Sequence, residues 1–151
     1  MNENLKYRKN YEETDKHLRR LKKAFEILKS KNLLPLNNEK ISSILNDEYL
    51  TAFLDQIVYR YSKLQDSLSK LIRSYLYSKG ENVENLTMID VLNKAEKFGI
   101  GINKEKWFEL RELRNILVHE YEDEKLRIAQ TLNKIYEEIR YLENLLNKLK
   151  G

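Results

Sequence analysis

Cysteine is absent from the sequence, so the chain has no disulfide framework, no thiolate nucleophile and no zinc site built on Cys. Proline occurs once, at Pro35, and glycine four times, two of them in the Gly99-Ile100-Gly101 turn and one at the last position. Long uninterrupted helices are therefore permitted and a sheet-rich fold is disfavoured. Nowhere do eighteen apolar residues run together, and the opening stretch MNENLKYRKNYEETDK has no apolar signal-peptide region. The expectation is a chain that neither spans a membrane nor is secreted, with a cytoplasmic location. Histidine is also scarce: His17 and His119 stand far apart, which argues against a metal site. No Gly-rich phosphate loop is present, so ATP binding of the P-loop kind is not expected, and no cofactor is implied.

What the chain has in abundance is charge, at 34% of residues, mostly Lys and Glu, as suits solvated helix faces. Its 151 residues fit one domain with room for a real core. The net charge of +4 is unevenly placed: Met1 to Lys31 carry ten Lys/Arg against five Asp/Glu, leaving eighteen against nineteen for the rest. A basic first helix attracts phosphates without reading sequence, and equally serves as a solvated face.

Apolar periodicity then divides the chain. Tyr11, Thr14, Leu18, Leu21, Phe25 and Leu28 recur at steps of three and four, which predicts a basic N-terminal helix within 1–32. A linker over 33–46 holds the proline and a short helical turn near Ile41 to Leu45. Asn46 or Asp47 offers an N-cap for a long second helix, with Leu50, Leu54, Ile57, Tyr61, Leu64, Leu68, Leu71 and Tyr75 in register until Gly80 stops it. Thr87 can cap a shorter helix through Phe98, and Asn103 a fourth helix through Trp107 and Leu117. Ile128, Leu132, Ile135, Ile139, Leu142, Leu146 and Leu149 mark the last. The expectation is an all-α, up-and-down bundle of four to five helices in one domain over 1–151, with the bundle proper over 47–149. His17, among Lys16, Arg19 and Arg20, is expected at the surface.

The fourth helix is not simply apolar inside and charged outside. At about 100° per residue, Arg114 falls roughly 40° from the Leu110–Leu113–Leu117 stripe, where a guanidinium is costly unless paired or placed in a cleft. Asn115 and His119 share a different face with Phe108 and Glu112. Arg114 and His119 point about 140° apart, so they converge only if the arginine reaches, the helix ends near His119, or a second chain contributes. On the second helix, Tyr59, Lys63 and Asp66 lie on one face, placed either to line a cleft or contact a partner, or to form a solvated surface.

Arg114-Asn115-Ile116-Leu117-Val118-His119-Glu120-Tyr121 reads R-x4-H-x-Y on the penultimate helix, and it resembles the HEPN superfamily of all-α proteins. More narrowly it is similar to the HepT-like toxins that act beside a minimal nucleotidyltransferase, MNT. FLDQIVYRYSKLQDSLSKL, Phe53 to Leu71, looks like the long second helix of the nucleotidyltransferase-associated branch, so the resemblance covers roughly the last hundred residues. It implies a homodimer joined through the motif helices and metal-independent cleavage of tRNA or mRNA at the cleft between two protomers. Arg114 and His119 would be catalytic, Asn115 supporting, and Tyr121 the residue adenylylated by the partner enzyme. Histidine can take the proton from a ribose 2′-OH while arginine binds the phosphate through paired donors. A second implication is a non-catalytic subunit that docks onto a nucleotidyltransferase, since Tyr59 to Asp66 resembles the substrate-binding partners of the same branch. A plain helical adaptor is the third reading, in which Arg114 is a paired interface residue and His119 a helix-end histidine.

Overall fold

A computed structural model describes residues 3–120 and 124–150. The described residues form six α-helices and one 3-10 turn, with no strand among them: α1 (Glu3–Ser30), α2 (Asn38–Leu45), α3 (Glu48–Ser78), α4 (Met88–Ala95), the turn Glu96–Phe98, α5 (Lys104–Glu120) and α6 (Lys125–Leu149). None of the helices is long and apolar enough to cross a membrane.

The helix starts follow the capping chemistry of the sequence. Asp47 accepts from the backbone N–H groups of Tyr49 and Leu50 at 2.9 and 3.1 Å, satisfying two donors that α3 cannot pair internally. Thr87 does the same for Asp90 at 3.2 Å and Asn103 for Lys106 at 2.8 Å. Asn46, the other candidate cap, instead closes the C-terminus of α2. At the end of α3, Gly80 takes a φ of +86°, which lets the Glu81 N–H reach back to the Leu76 carbonyl at 3.0 Å.

Each apolar stripe is buried, with only its first member in α1 and α3, Tyr11 and Leu50, left half-exposed. The α3 helix touches all five of the others. Against it α1 runs antiparallel, with the Tyr7 and Tyr75 rings 6.1 Å apart near one end and Asn10 bonded to Ser74 at 2.6 Å. The α6 helix is antiparallel to α1: Tyr7 donates to the Leu149 carbonyl, while Phe25 and Tyr136 meet at 5.2 Å nearer the other end. The α5 helix is antiparallel to α6, with Lys106 bonded to Glu138 at 2.6 Å and Glu109 paired with Lys134 at 3.8 Å.

The stretch 33–46 is docked rather than free. It contains the whole of α2, whose Ile41 and Ile44 are buried, and Asn133 of α6 clamps it. The Asn133 side-chain amide accepts from the Leu36 N–H at 2.7 Å and donates to the Leu36 carbonyl at 2.9 Å.

His17 is not at the surface. It is 5% exposed, because the face of α1 turned toward α3 is wider than its strict apolar stripe. Arg60 of α3 donates to Nδ1 at 3.0 Å, which makes that nitrogen the acceptor and leaves the proton on Nε2, 3.8 Å from Glu13. Burial first, then the charge of Arg60, holds the imidazole below its usual value of 6.5, with Lys16 acting the same way and Glu13 opposing. The folded chain therefore binds fewer protons here than the unfolded one. The stabilisation is complete above the unfolded value and is lost as pH falls below it toward the folded value. Urea unfolding should show lower stability at about pH 5.5 than at about pH 7.5, with a smaller difference for His17→Gln. An equal difference in the variant assigns the effect to another group.

Candidate functional site

The motif helix α5 is fixed to the bundle along one line: Trp107, Leu110, Leu113 and Leu117 are buried. A polar bond sets its position as well. The hydroxyl of Tyr61, itself 2% exposed, donates to the Leu110 carbonyl at 2.7 Å. That carbonyl also lies one helical turn before the Arg114 N–H, so its two lone pairs serve α3 and α5 together. Burial raises the Tyr61 phenol far above its ordinary value, with the charges of Glu138 and Glu109 adding to the shift, so the hydroxyl remains a donor.

One turn further, Arg114 lies where its helical angle places it, at the edge of the apolar line with its side chain 32% exposed. Its Nη2 stands 3.9 Å from Oδ1 of Asp66 on α3, while its Nε is out of water and makes no hydrogen bond to the protein. The Asp66 side chain is 54% exposed. A pair this long and this open to solvent restrains the guanidinium only weakly, and water screens it. The Nε–H thus remains uncommitted on a group whose planar fork suits a phosphate or carboxylate.

His119 stands exposed in the last turn of α5, and Asn115 is half-buried one turn before it. No hydrogen bond joins either side chain to another described residue. Arg114 and His119 are five positions apart, about 7.5 Å of helical rise, and the two leave the helix on different sides. The fold therefore brings Arg114 to Asp66 but does not bring His119 to Arg114 within one chain. Exposed apolar groups flank the histidine face, with Phe108 43% and Val118 50% exposed. Tyr121 lies outside the described residues.

Tyr59, Lys63 and Asp66 do share an outward face of α3 and have separate roles there. Tyr59 is 51% exposed, with the Arg60 guanidinium 5.2 Å and the Lys63 ammonium 5.8 Å from its ring centre. Only Asp66 reaches the motif helix. Among the described residues no group of three or more His, Cys, Asp or Glu is arranged to hold a metal ion. An open cleft of about 630 Å³ at the other end of α5 is lined by Gly101, Asn103, Lys106 and Tyr141. Its cation is already matched by Glu138, and burial there pushes the Tyr141 phenol up to about 12, with Glu138 and Glu109 contributing.

Two contacts of the site were not read from the sequence. Tyr61 belongs to the apolar stripe of α3, and the signal that it does more is general: a buried tyrosine hydroxyl needs a partner. The pairing of Asp66 with Arg114 joins residues 48 positions apart, which helix periodicity does not address.

No family model matches the chain, and none of the curated proteins or solved structures does.

Tyr61→Phe should cost about 1 kcal/mol in urea unfolding, because it removes one buried bond while Leu110 keeps its helical donor. Asp66→Asn should change stability by no more than about 0.5 kcal/mol, as expected for an exposed pair. A larger loss for Asp66→Asn would make the carboxylate a structural element.

Proposed function

We propose that the chain is a metal-independent endoribonuclease and the toxin of a HEPN/MNT toxin–antitoxin module, acting in the cytoplasm on tRNA or mRNA. In this reading two up-and-down bundles form a homodimer through α5, and the exposed His119 of one protomer meets the Arg114 of the other. The observation that carries the reading is the state of the two motif side chains. Arg114 has a buried Nε without a partner and is only loosely engaged at its tip, and His119 is exposed and unengaged on the same helix.

The chemistry needs no group beyond the side chains. His119 accepts the proton of a ribose 2′-OH as its oxygen bonds to phosphorus. The bond from phosphorus to the 5′ oxygen breaks, and the leaving oxygen is protonated to a 5′-OH, which leaves a 2′,3′-cyclic phosphate on the other fragment. Arg114 turns its fork from Asp66 to the phosphate and binds the charge that grows in the transition state. Asn115, one turn from His119, orients the imidazole or bonds the phosphate. AMP placed on Tyr121 by a cognate minimal nucleotidyltransferase adds an anion beside the site and blocks RNA.

A second reading rests on a specific contact. Arg114 already has a carboxylate partner, Asp66, and beside it the Tyr59–Lys63 face is exposed. Such an arrangement serves a non-catalytic subunit that binds a nucleotidyltransferase.

Incubation with total RNA and tRNA in EDTA separates the two. The wild-type protein should cut and leave cyclic-phosphate ends, and His119→Ala should cut at least about a hundredfold more slowly. Arg114→Ala should also lose activity while remaining folded and of equal oligomeric state by circular dichroism and gel filtration. Intact RNA with all three proteins, in a preparation whose mass shows Tyr121 unmodified, rejects the nuclease reading in favour of the binding subunit.

A further inference from the structure

Three of the basic residues of α1, Arg19, Arg20 and Lys23, border one groove. An open groove of about 610 Å³ runs between α1 and α3, with Arg20 and Lys23 on one wall, Gln56 on the other, and Ile27 and Phe53 half-buried in its floor. Arg19 also borders it, with its guanidinium bonded to Asp15 at 2.9 Å. Arg20 and Lys23 make no ion pair among the described residues. The i, i+4, i+7 spacing puts Lys16, Arg20 and Lys23 on one stripe of α1, so two uncompensated cations and their neighbour face the same direction.

Beyond the groove, the outward face of α3 continues with Tyr59 and Lys63. The Tyr59 ring is half in solvent, with the Arg60 and Lys63 cations 5.2 and 5.8 Å from its centre. Lys63 is followed, three residues on and along the same face, by Asp66, the partner of Arg114. Phe53 to Asp66 spans about 20 Å of helix. A groove that alternates cations with an apolar floor, then an exposed ring, then the motif arginine has the make-up of a single-strand track: phosphates on the cations, bases on the rings.

We infer that the α1–α3 groove, through Arg20 and Lys23 with Tyr59 as a stacking platform, binds single-stranded RNA outside the cleavage site and leads it toward Arg114. This rests on the nuclease reading for the identity of the polyanion, whereas the groove itself rests on charge and shape. Binding here reads the backbone and not the sequence, so it is salt-dependent. The occupant is an extended strand because the groove is too narrow in its basic lining, two free cations on one helix stripe, to follow both backbones of a duplex.

The test separates binding from cleavage by using a fluorescein-labelled 2′-O-methyl oligouridylate, which has no 2′-OH to react. Anisotropy should show binding by the full chain and a loss of about tenfold or more for Arg20→Glu/Lys23→Glu. The slope of log affinity against log salt should fall by about one to two. Arg140→Glu/Lys150→Glu, at exposed positions on α6 and immediately after it, makes the same change in net charge and should bind like the wild type. Tyr59→Ala should weaken binding without altering the salt slope, as loss of a stacked base does. Equal affinity for the groove variant and the wild type overturns the inference, as does an equal loss in the α6 control. So does binding of polyglutamate as tight as that of the RNA analogue, which would mark a docking face for acidic proteins. No binding by the wild type also overturns it. In each of these cases cleavage in EDTA by the wild type would leave the nuclease reading standing.

Discussion

The burial of α3 on several sides at once is the constraint from which the rest of the molecule follows. A helix on the outside of a bundle needs one apolar stripe, but α3 meets α1, α2, α4, α5 and α6. Its buried set accordingly goes beyond the leucine–isoleucine line to Gln65, Ser67 and Ser74. Ser67 and Ser74 bond backward to the carbonyls of Leu64 and Lys70, whereas both polar atoms of the Gln65 amide are buried without a hydrogen-bond partner among the described residues. Shifting α3 would move the docking lines of all its neighbours together, including the one that carries Arg114.

Two kinds of contact lie side by side on that docking line. The Tyr61–Leu110 bond is buried and neutral, so its strength is little affected by the solvent. The Asp66–Arg114 pair, one turn away, is long and exposed, so water and ions weaken it. Backbone position and side-chain position in α5 are thereby separated: the helix is held, and the guanidinium at its edge is free to exchange partners. Binding of an incoming anion requires only that second, weak contact to give way.

Much of this was legible in residue order. Steps of three and four placed the buried line of every long helix, and Asp47, Thr87 and Asn103 act as the caps their chemistry suggests. Arg114 was recognisable as a residue needing a partner, since only 40° or so separates it from the core stripe. Its partner was not legible, because a helical wheel describes one helix and the pair spans two. His17 failed for the same reason. Its neighbours in sequence are cationic, but its neighbours in space are Arg60 and the packed face of α3. The amphipathic count of helices ran short by the eight-residue α2 and by treating α4 and its 3-10 turn as one element. In so short a segment, two buried isoleucines carry the whole periodic signal.

The amide clamp between Asn133 and Leu36 has a consequence for the charged seam between α5 and α6. Lys106 and Glu109 of α5 face Glu138 and Lys134 of α6, so sliding one helix along the other by a turn would set Lys106 against Lys134 or Glu109 against Glu138. Charge therefore already favours one alignment of the two helices. The clamp refers α6 to the backbone of Leu36, and the Tyr61 hydroxyl refers α5 to a single carbonyl, neither of which repeats. Two aperiodic hydrogen bonds thus hold, from outside the α5–α6 pair, the same alignment that its charges favour.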